Sequence, residues 1–333
     1  ECAKLDGGDG DDVINNRGDY STLWGGAGND LLYNRGNKSS VNGESGNDTL
    51  NNWGSNITLQ GGGGDDVYSN EGENVIIVDN NGHNLVRNTA SDLKVSFGSD
   101  NDTVYSSGAR SSVNAGSGAD FISISGADPT VSTGDGNDTI FVSSSKNSSR
   151  VIIESGNGSD RISNGAANAS IYAANDNDSI NNTGSDVNII AGNGNDTIVN
   201  RATGLIASGG IGNDFIDNQG MNALLDGGDG DDKISSTGDI VTVYGGVGND
   251  SISNLKGGRN ALIFGEDGND TLNNDGDSST IDGGTGNDRL INNSNGADAW
   301  LLGGAGADTI NNTAEGVTVE GGDGNDSVNN VGE

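Results

Sequence analysis

Residues 245–253 read GGVGNDSIS, and close copies of this stretch occur at 25–33 (GGAGNDLLY) and at 283–291 (GGTGNDRLI). Each copy begins with a glycine-rich hexad that ends in Asp, and its eighth residue is apolar. Because glycine adopts positive φ without steric cost, the hexad predicts a tight turn. The apolar residue that follows predicts a short strand with one side chain turned inward. Copies spread along the chain predict a repeat fold.

The Asp that ends the hexad recurs from one end of the chain to the other. Its spacing is 18 residues, except for one step of 22 and two steps of 20. The series has 18 slots, of which 17 hold Asp and one holds Asn84. The 17 carboxylates are the candidate metal ligands of this chain: Asp12, Asp30, Asp48, Asp66, Asp102, Asp120, Asp138, Asp160, Asp178, Asp196, Asp214, Asp232, Asp250, Asp270, Asp288, Asp308 and Asp326.

The second nine residues of each 18-residue unit have a pattern of their own. They usually begin with Asn and carry apolar residues at their sixth and eighth positions, as in NWGSNITLQ at 52–60. Apolar residues two positions apart indicate a strand with one buried face. Each unit is therefore predicted to form one coil of turn, strand, turn and strand. The chain is predicted to be all-β, a parallel β-solenoid or β-roll of about 18 coils in a single domain over residues 1–333, about 85 Å long at the usual spacing of paired strands.

The composition excludes several other classes of protein. The 333 residues include 59 Gly and one Pro, and only 30% are hydrophobic, so a thick apolar core is excluded. The net charge of −34 repels phosphate, so no nucleic-acid partner is expected. No stretch has the roughly 20 apolar residues of a membrane helix, so no membrane insertion is expected. The single cysteine, Cys2, allows no internal disulfide.

Stacked coils would place the Asp residues in one column. Neighbouring carboxylates about 5 Å apart repel each other by about 0.8 kcal/mol in bulk water, and by about 3 kcal/mol at an effective dielectric constant near 20. This repulsion disfavours the fold unless cations lie between the coils. Carboxylates and turn carbonyls form an all-oxygen ligand set, which suits calcium better than magnesium. We therefore expect several Ca²⁺ ions, up to about one for each gap between coils.

The nine-residue unit resembles the RTX repeat, the hemolysin-type calcium-binding nonapeptide GGxGxDxUx. The resemblance implies a parallel β-roll that holds calcium between successive turns. It also implies a secreted bacterial protein, extracellular or on the cell surface, that stays unfolded in the calcium-poor cytosol. Family rolls often carry the motif in both halves of a coil, whereas this chain carries it in one, so one calcium column is expected. Nine of the 18 hexads match GGxGxD fully, and they begin at Gly7, Gly25, Gly61, Gly209, Gly227, Gly245, Gly283, Gly303 and Gly321.

Asn opens the second half of most coils, for example at Asn34, Asn52 and Asn70. Stacked amides can form a hydrogen-bonded ladder along the axis, but Asn also tolerates turn conformations, and the sequence leaves both explanations open. Three insertions fall in this half of the coil, within 142–154, 254–264 and 292–302. This asymmetry is expected if ions fix the geometry of the other half only.

Catalysis finds little support in the sequence, and the chain is predicted not to be an enzyme. His83, the only histidine, lies in the degenerate hexad DNNGHN at 79–84, where we interpret it as a turn residue. A carbohydrate-active β-solenoid is an alternative, because the three Trp residues could stack on sugar rings. An ice-binding solenoid is a further alternative, although the Thr ladder that it needs at the third hexad position is present only at Thr285.

The two ends of the sequence lead to an expectation about self-association. Residues 330–333 begin a second half-repeat, and residues 1–6 supply the remainder of one. Open strand edges recruit partners, and a contact that does not close produces a filament. We expect a calcium-stabilised extracellular structural protein whose copies stack head to tail, with cell-surface or matrix components as further partners. The alternative is a rod segment of a large RTX-like surface adhesin or S-layer protein.

Overall fold

The computed structural model describes residues 2–143 and 150–332, and within these ranges every helix or strand assigned is a β-strand. The chain forms two compact units, Glu1–Ala166 and Ala167–Glu333. Each unit contains nine coils, and each coil contributes one strand to each of two parallel sheets. The prediction of an all-β parallel β-solenoid of about 18 coils is confirmed. That the whole chain is one domain stays a prediction.

In the first unit, the odd-numbered strands form one sheet and the even-numbered strands form the other. Neighbours in each sheet are parallel and in register, so that Leu32 of β4 lies opposite Leu50 of β6. The first sheet consists of β1 (Lys4–Asp9), β3 (Thr22–Ala27), β5 (Ser40–Ser45), β7 (Ile57–Gly63), β9 (Val75–Val78), β11 (Leu93–Ser96), β13 (Ser112–Asn114), β15 (Thr130–Asp135) and β17 (Val151–Asn157). The second consists of β2 (Val13–Asn16), β4 (Leu31–Asn34), β6 (Thr49–Asn52), β8 (Val67–Asn70), β10 (Leu85–Asn88), β12 (Thr103–Ser106), β14 (Phe121–Ile124), β16 (Thr139–Val142) and β18 (Arg161–Asn164).

The second unit repeats this arrangement, and Ile234 of β26 lies opposite Ile252 of β28. Its odd-numbered strands are β19 (Ala169–Asn175), β21 (Asn188–Asn193), β23 (Ile206–Ile211), β25 (Leu224–Asp229), β27 (Thr242–Val247), β29 (Leu262–Asp267), β31 (Thr280–Thr285), β33 (Trp300–Gly306) and β35 (Thr318–Gly324). Its even-numbered strands are β20 (Ser179–Asn182), β22 (Thr197–Asn200), β24 (Phe215–Asn218), β26 (Lys233–Ser236), β28 (Ser251–Asn254), β30 (Thr271–Asn274), β32 (Arg289–Asn292), β34 (Thr309–Asn312) and β36 (Ser327–Asn330).

The core is thin and repetitive. Each even-numbered strand from β2 to β34 buries its second and fourth residues, as β4 buries Leu32 and Asn34. Odd-numbered strands bury apolar residues from the opposite side, as β7 buries Ile57 and Leu59. Burying one Leu or Ile side chain stabilises the folded state by about 1.5–3 kcal/mol. Because each coil buries only a few such side chains, the stability of the core depends on the number of coils.

In most coils the strand before the hexad is longer than the sequence pattern indicates, and β9, β11 and β13 are the exceptions. The sequence pattern assigns the whole glycine-rich hexad to a turn, but β27 contains the first three residues of one hexad, Gly245, Gly246 and Val247. Only residues 248–250 remain for the turn. The assignment was wrong because a glycine without a side chain can stay in the ladder of paired strands as well as bend. Gly246 does both, since it pairs in the sheet with φ of 112°.

Two of the three insertions lie between strands, in the half of the coil opposite the hexad. Residues 254–264 span the connection from β28 to β29, and residues 292–302 span that from β32 to β33. The third insertion includes 144–149, which lie outside the described residues, as do both terminal residues of the expected head-to-tail junction. In the described part of the chain, no helix has the length and hydropathy required to cross a membrane.

Candidate metal centre

The 17 predicted metal-site Asp residues all occupy one position of the coil, between the turn and the even-numbered strand that follows. Asp30 directly precedes β4 and Asp250 directly precedes β28. Because this position is two residues before the buried second residue of the strand, its side chain points to the same inward side. Fifteen of the carboxylates are buried, and Asp12 and Asp326 are half-buried. The column is therefore not a row of solvated surface acids.

In each unit, one oxygen of every carboxylate after the first connects neighbouring coils. Oδ1 accepts a hydrogen bond from the main-chain N–H of the residue in the same slot one coil earlier, as in the 2.7 Å bond from Asp30 to Asp48. In the first unit this ladder connects Asp12, Asp30, Asp48, Asp66, Asn84, Asp102, Asp120, Asp138 and Asp160. In the second unit it connects Asp178, Asp196, Asp214, Asp232, Asp250, Asp270, Asp288, Asp308 and Asp326. These bonds could not be predicted from the sequence pattern.

The other carboxylate oxygen, Oδ2, lies in the interior and accepts no hydrogen bond from the described residues in most coils. This holds for Asp30, Asp48, Asp120, Asp196, Asp214, Asp232, Asp250, Asp270, Asp288 and Asp308. A buried acceptor without a partner costs about 1–3 kcal/mol, and more when it carries charge. Each of these oxygens therefore requires either a proton or a cation.

The first glycine of the hexad provides the space for this oxygen. A Cβ added at Gly25 would overlap Asp30 Oδ2 and would lie 2.7 Å from the carbonyl oxygen of Gly43 in the next coil. The same arrangement recurs at Gly209 and Gly245. A carboxylate oxygen and a carbonyl oxygen therefore border one small space that only a residue without a side chain leaves open.

Burial raises the pKa of these carboxyl groups, because an interior with little water disfavours the charged form. The pKa of Asp214 and that of Asp250 are raised to about 6, and the pKa of Asp232 between them to about 7. The hydrogen bond from the main-chain N–H lowers these pKa values, and the neighbouring carboxylates raise them again. Near neutral pH, a column without cations therefore holds ionised carboxylates that destabilise the fold.

The ligand chemistry of this column fits calcium. In the described residues, Asp, Glu, His and Cys side chains form no group of three that could hold a metal by themselves. The hexads that end in Asp instead offer one carboxylate beside main-chain carbonyls, as at Gly25 and Gly245, and such oxygens are the ligands that calcium prefers. The residues that would hold the ion are the hexad Asp and the hexad glycines, which contribute their carbonyls. A bound ion would neutralise Oδ2 and remove the repulsion along the column.

The slot of Asn84 is built differently, and its side chain supplies hydrogen bonds that a carboxylate cannot make. Asn84 Nδ2 donates to the loop carbonyls of Asn81 at 3.3 Å and Gly82 at 3.1 Å, while Oδ1 accepts from Asp66 N–H at 3.1 Å. The carboxylate of this hexad lies instead at the first position, where Asp79 is buried and accepts a 2.5 Å hydrogen bond from the hydroxyl of Tyr68. Protein donors thus contact oxygens that a cation would otherwise bind.

His83 lies in the turn of this same coil, on the exposed side. Its ring Nδ1 accepts a 3.0 Å hydrogen bond from Asn101 N–H in the next coil, and its own N–H donates to Asp65 Oδ1 at 2.8 Å. Both contacts connect neighbouring turns. The interpretation of His83 as a turn residue agrees with this position.

The buried Asn column combines the two explanations that the sequence left open. Asn34 Nδ2 donates to Asn52 Oδ1 in the next coil at 2.8 Å, which is the ladder. The same Nδ2 donates to Gly36 O at 2.9 Å, and Oδ1 accepts from Gly36 N–H at 3.3 Å, which is the turn. Oδ1 also accepts from Asn16 in the coil before, so the buried amide forms all four of its hydrogen bonds.

The fold and the site together define a parallel β-roll with an interior column of carboxylates that suits calcium. The family model of the RTX calcium-binding nonapeptide repeat (4 copies) matches seven segments of the chain, residues 6–36, 98–123, 226–258, 257–281, 264–295, 293–311 and 302–329. These segments of the chain therefore carry RTX calcium-binding nonapeptide repeats, a kind of repeat that is typically structural and is typical of secreted bacterial proteins. A search of curated proteins found no significant match.

Proposed function

We propose that the protein is an extracellular structural repeat protein whose folding is coupled to calcium. The observation that carries this proposal is that the buried Oδ2 atoms of ten column residues, from Asp30 to Asp308, accept no hydrogen bond from the described residues, since each such oxygen destabilises the fold until a cation neutralises it. Metal binding free energy then becomes folding free energy. Because each coil contacts its neighbours in the same way, the response to calcium is cooperative within each unit.

Circular dichroism of the purified chain in calcium and after chelation tests this proposal. We expect the β signal to be lost on chelation, to return at millimolar calcium, and to return much less in magnesium, which demands a more regular ligand geometry. A β signal that survives chelation in protein shown to be metal-free at neutral pH would contradict the proposal.

We further propose that copies of the chain stack head to tail. Val328 of β36 pairs with Ile310 of β34 at the same inward position, yet Val328 is 49% exposed while Ile310 is fully buried. Another coil stacked on β36 would cover Val328 and extend both sheets. In a parallel solenoid the two edges of a coil differ, so copies that stack in this way form an open filament.

Electron microscopy and light scattering in calcium distinguish the two candidates for this surface. Filaments that lengthen with protein concentration support head-to-tail stacking. A chain that stays monomeric at high concentration would instead favour a rod segment of a larger surface adhesin or S-layer protein, in which further coils of the same chain cover Val328.

A further inference from the structure

One face of the first unit carries no acidic side chains, although the chain contains 49 acidic residues. This face, which we call the even-strand face, consists of the first and third residues of the nine strands β2 to β18, all of which are exposed or half-exposed. None of these 18 residues, two from each strand, is Asp or Glu, and two of them are Arg87 and Arg161. Of the residues that directly follow the strands, Arg17 and Arg35 add positive charge and Glu71 is the only acid.

Aromatic rings line the same face. Phe121 lies between Tyr105 and Phe141, with ring centroids 5.6 and 5.7 Å away. Tyr105 is 43% exposed and Phe141 is 39% exposed, so these rings lie open to solvent. At the other end of the unit, the guanidinium of Arg35 lies 4.5 Å from the ring centroid of Trp53. The face therefore combines positive charge with flat apolar surfaces.

A groove of about 280 Å³ lies where the charge and the rings meet. Arg87 and Tyr105 are direct neighbours in the ladder between β10 and β12, and both line the groove. Thr89, Ser107 and Ser125 line it as well. No carboxylate of the described residues forms an ion pair with Arg87, so its guanidinium is available to a ligand.

We propose that the even-strand face binds a carboxylated polysaccharide, with one acidic sugar in this groove. The planar guanidinium of Arg87 matches a carboxylate in two parallel hydrogen bonds. The exposed ring of Tyr105 offers a flat surface to the apolar face of a sugar ring, and the Ser and Thr hydroxyls can exchange hydrogen bonds with sugar hydroxyls. In this proposal the groove holds one sugar unit. The aromatic rings from Tyr105 to Phe141 contact the next units of the polymer.

The rest of the molecule makes other anionic partners less suitable. A long nucleic acid would meet the net charge of −34 wherever it left this face. An anionic lipid surface is flat and broad, and the acidic residues in the turns beside the face would be brought against it. A single polysaccharide chain is narrow enough to follow the face without approaching those turns.

Isothermal titration calorimetry with an oligomer of about six galacturonate units tests the proposal, with a neutral glucose oligomer of equal length as the reference ligand. We expect the intact protein in calcium to bind the acidic oligomer and not the neutral one. Arg87→Ser, which copies Ser69 at the preceding position of the ladder, should weaken binding at least tenfold and reduce its dependence on salt. Tyr105→Ser, which copies Ser123, should also weaken it severalfold.

Lys94→Ser is the matched control, because it removes one positive charge from the other sheet of the same unit and copies Ser112. We expect it to bind like the wild type, and we expect all three variants to keep the calcium-dependent β signal. The proposal is overturned if the acidic oligomer does not bind, or if Lys94→Ser weakens binding as much as Arg87→Ser. The proposal is also overturned if Arg87→Ser leaves sugar binding unchanged while binding requires free calcium, because a calcium ion would then bridge the protein and the sugar. Arg87-dependent self-association without sugar binding would assign the face to a second copy instead.

Discussion

At the scale of the single residue, each carboxylate of the Asp column uses its two oxygens differently. Oδ1 of Asp250 accepts a hydrogen bond from the main-chain N–H of Asp232. Oδ2 of Asp250 accepts no hydrogen bond from the described residues and requires a proton or a cation. The two roles can be separated by substitution, because an amide keeps the first oxygen and replaces the second with a donor. Asn84 is a natural example of that replacement.

Asp250→Asn should therefore lower the number of bound calcium ions by at least one while the β signal at saturating calcium is retained. Asp250→Ala should lower the ion count equally and also leave the N–H of Asp232 without its partner. The buried N–H should destabilise this variant by about a further 1–3 kcal/mol. Native mass spectrometry gives the ion count and thermal unfolding gives the stability. An unchanged ion count in both variants would show that Asp250 is not a ligand.

The sequence was sufficient to locate the Asp residues but not to show how their oxygens are used. Asp recurs in the sequence at one fixed position of the repeat, after the hexad glycines. Asp30, Asp250 and their equivalents could therefore be predicted. The bond from Asp30 N–H to Asp48 depends on which way a main-chain amide points at the end of a turn, and side-chain periodicity carries no information about that. Likewise, only the structure could show that the Asn column forms a ladder and a turn at once.

At the scale of the element, the hexad is half strand and half turn, and the position of each glycine matters. Gly245 lies in β27 beside Asp250 Oδ2, and a Cβ there would also lie 2.6 Å from the carbonyl oxygen of Gly265. The sequence could predict a glycine-rich turn because glycine is common in turns. It could not distinguish a glycine that bends the chain from one that leaves room for a carboxylate.

Gly245→Ala should destabilise the calcium-bound protein by about 1–3 kcal/mol, because the added methyl group competes with Oδ2 for an enclosed space. Val247→Ala is the matched control: it lies in the same strand, its side chain is 55% exposed, and its expected effect is within about 0.5 kcal/mol. The calcium concentration at the folding midpoint, followed by circular dichroism, should rise for Gly245→Ala only. Equal midpoints for the two variants would contradict the assigned role of this glycine.

At the scale of the whole molecule, the calcium-free chain should respond to pH in the opposite sense to the calcium-bound one. The pKa values of Asp214, Asp250 and Asp232 in the folded state, about 6 to 7, exceed the ordinary value of 3.8. Proton binding therefore favours the folded state. The resulting stabilisation is complete below about pH 3.8 and is lost as the pH rises through 6 to 7.

Thermal unfolding of metal-free protein at pH 4 and pH 8 tests this expectation, and we expect a folded transition only at the lower pH. In saturating calcium the order should reverse, because protons compete with the ion for Oδ2. A calcium-free chain that is equally unfolded at both pH values would contradict the raised pKa values.

The number of coils and the net charge could be predicted from the sequence. The raised pKa values could not, because they depend on burial that appears only when the coils stack.

The hydrogen bonds of the Asp and Asn columns and of both sheets run along the direction in which coils stack, and this has a mechanical consequence. Tension along that direction would load the bonds of one coil at a time, so each unit should yield in discrete steps instead of all at once. A coil of 18 residues would release roughly 60 Å of extended chain. The slot spacing of 22 residues between Asp138 and Asp160 would release roughly 75 Å, which would mark the position of that coil in a force–extension record.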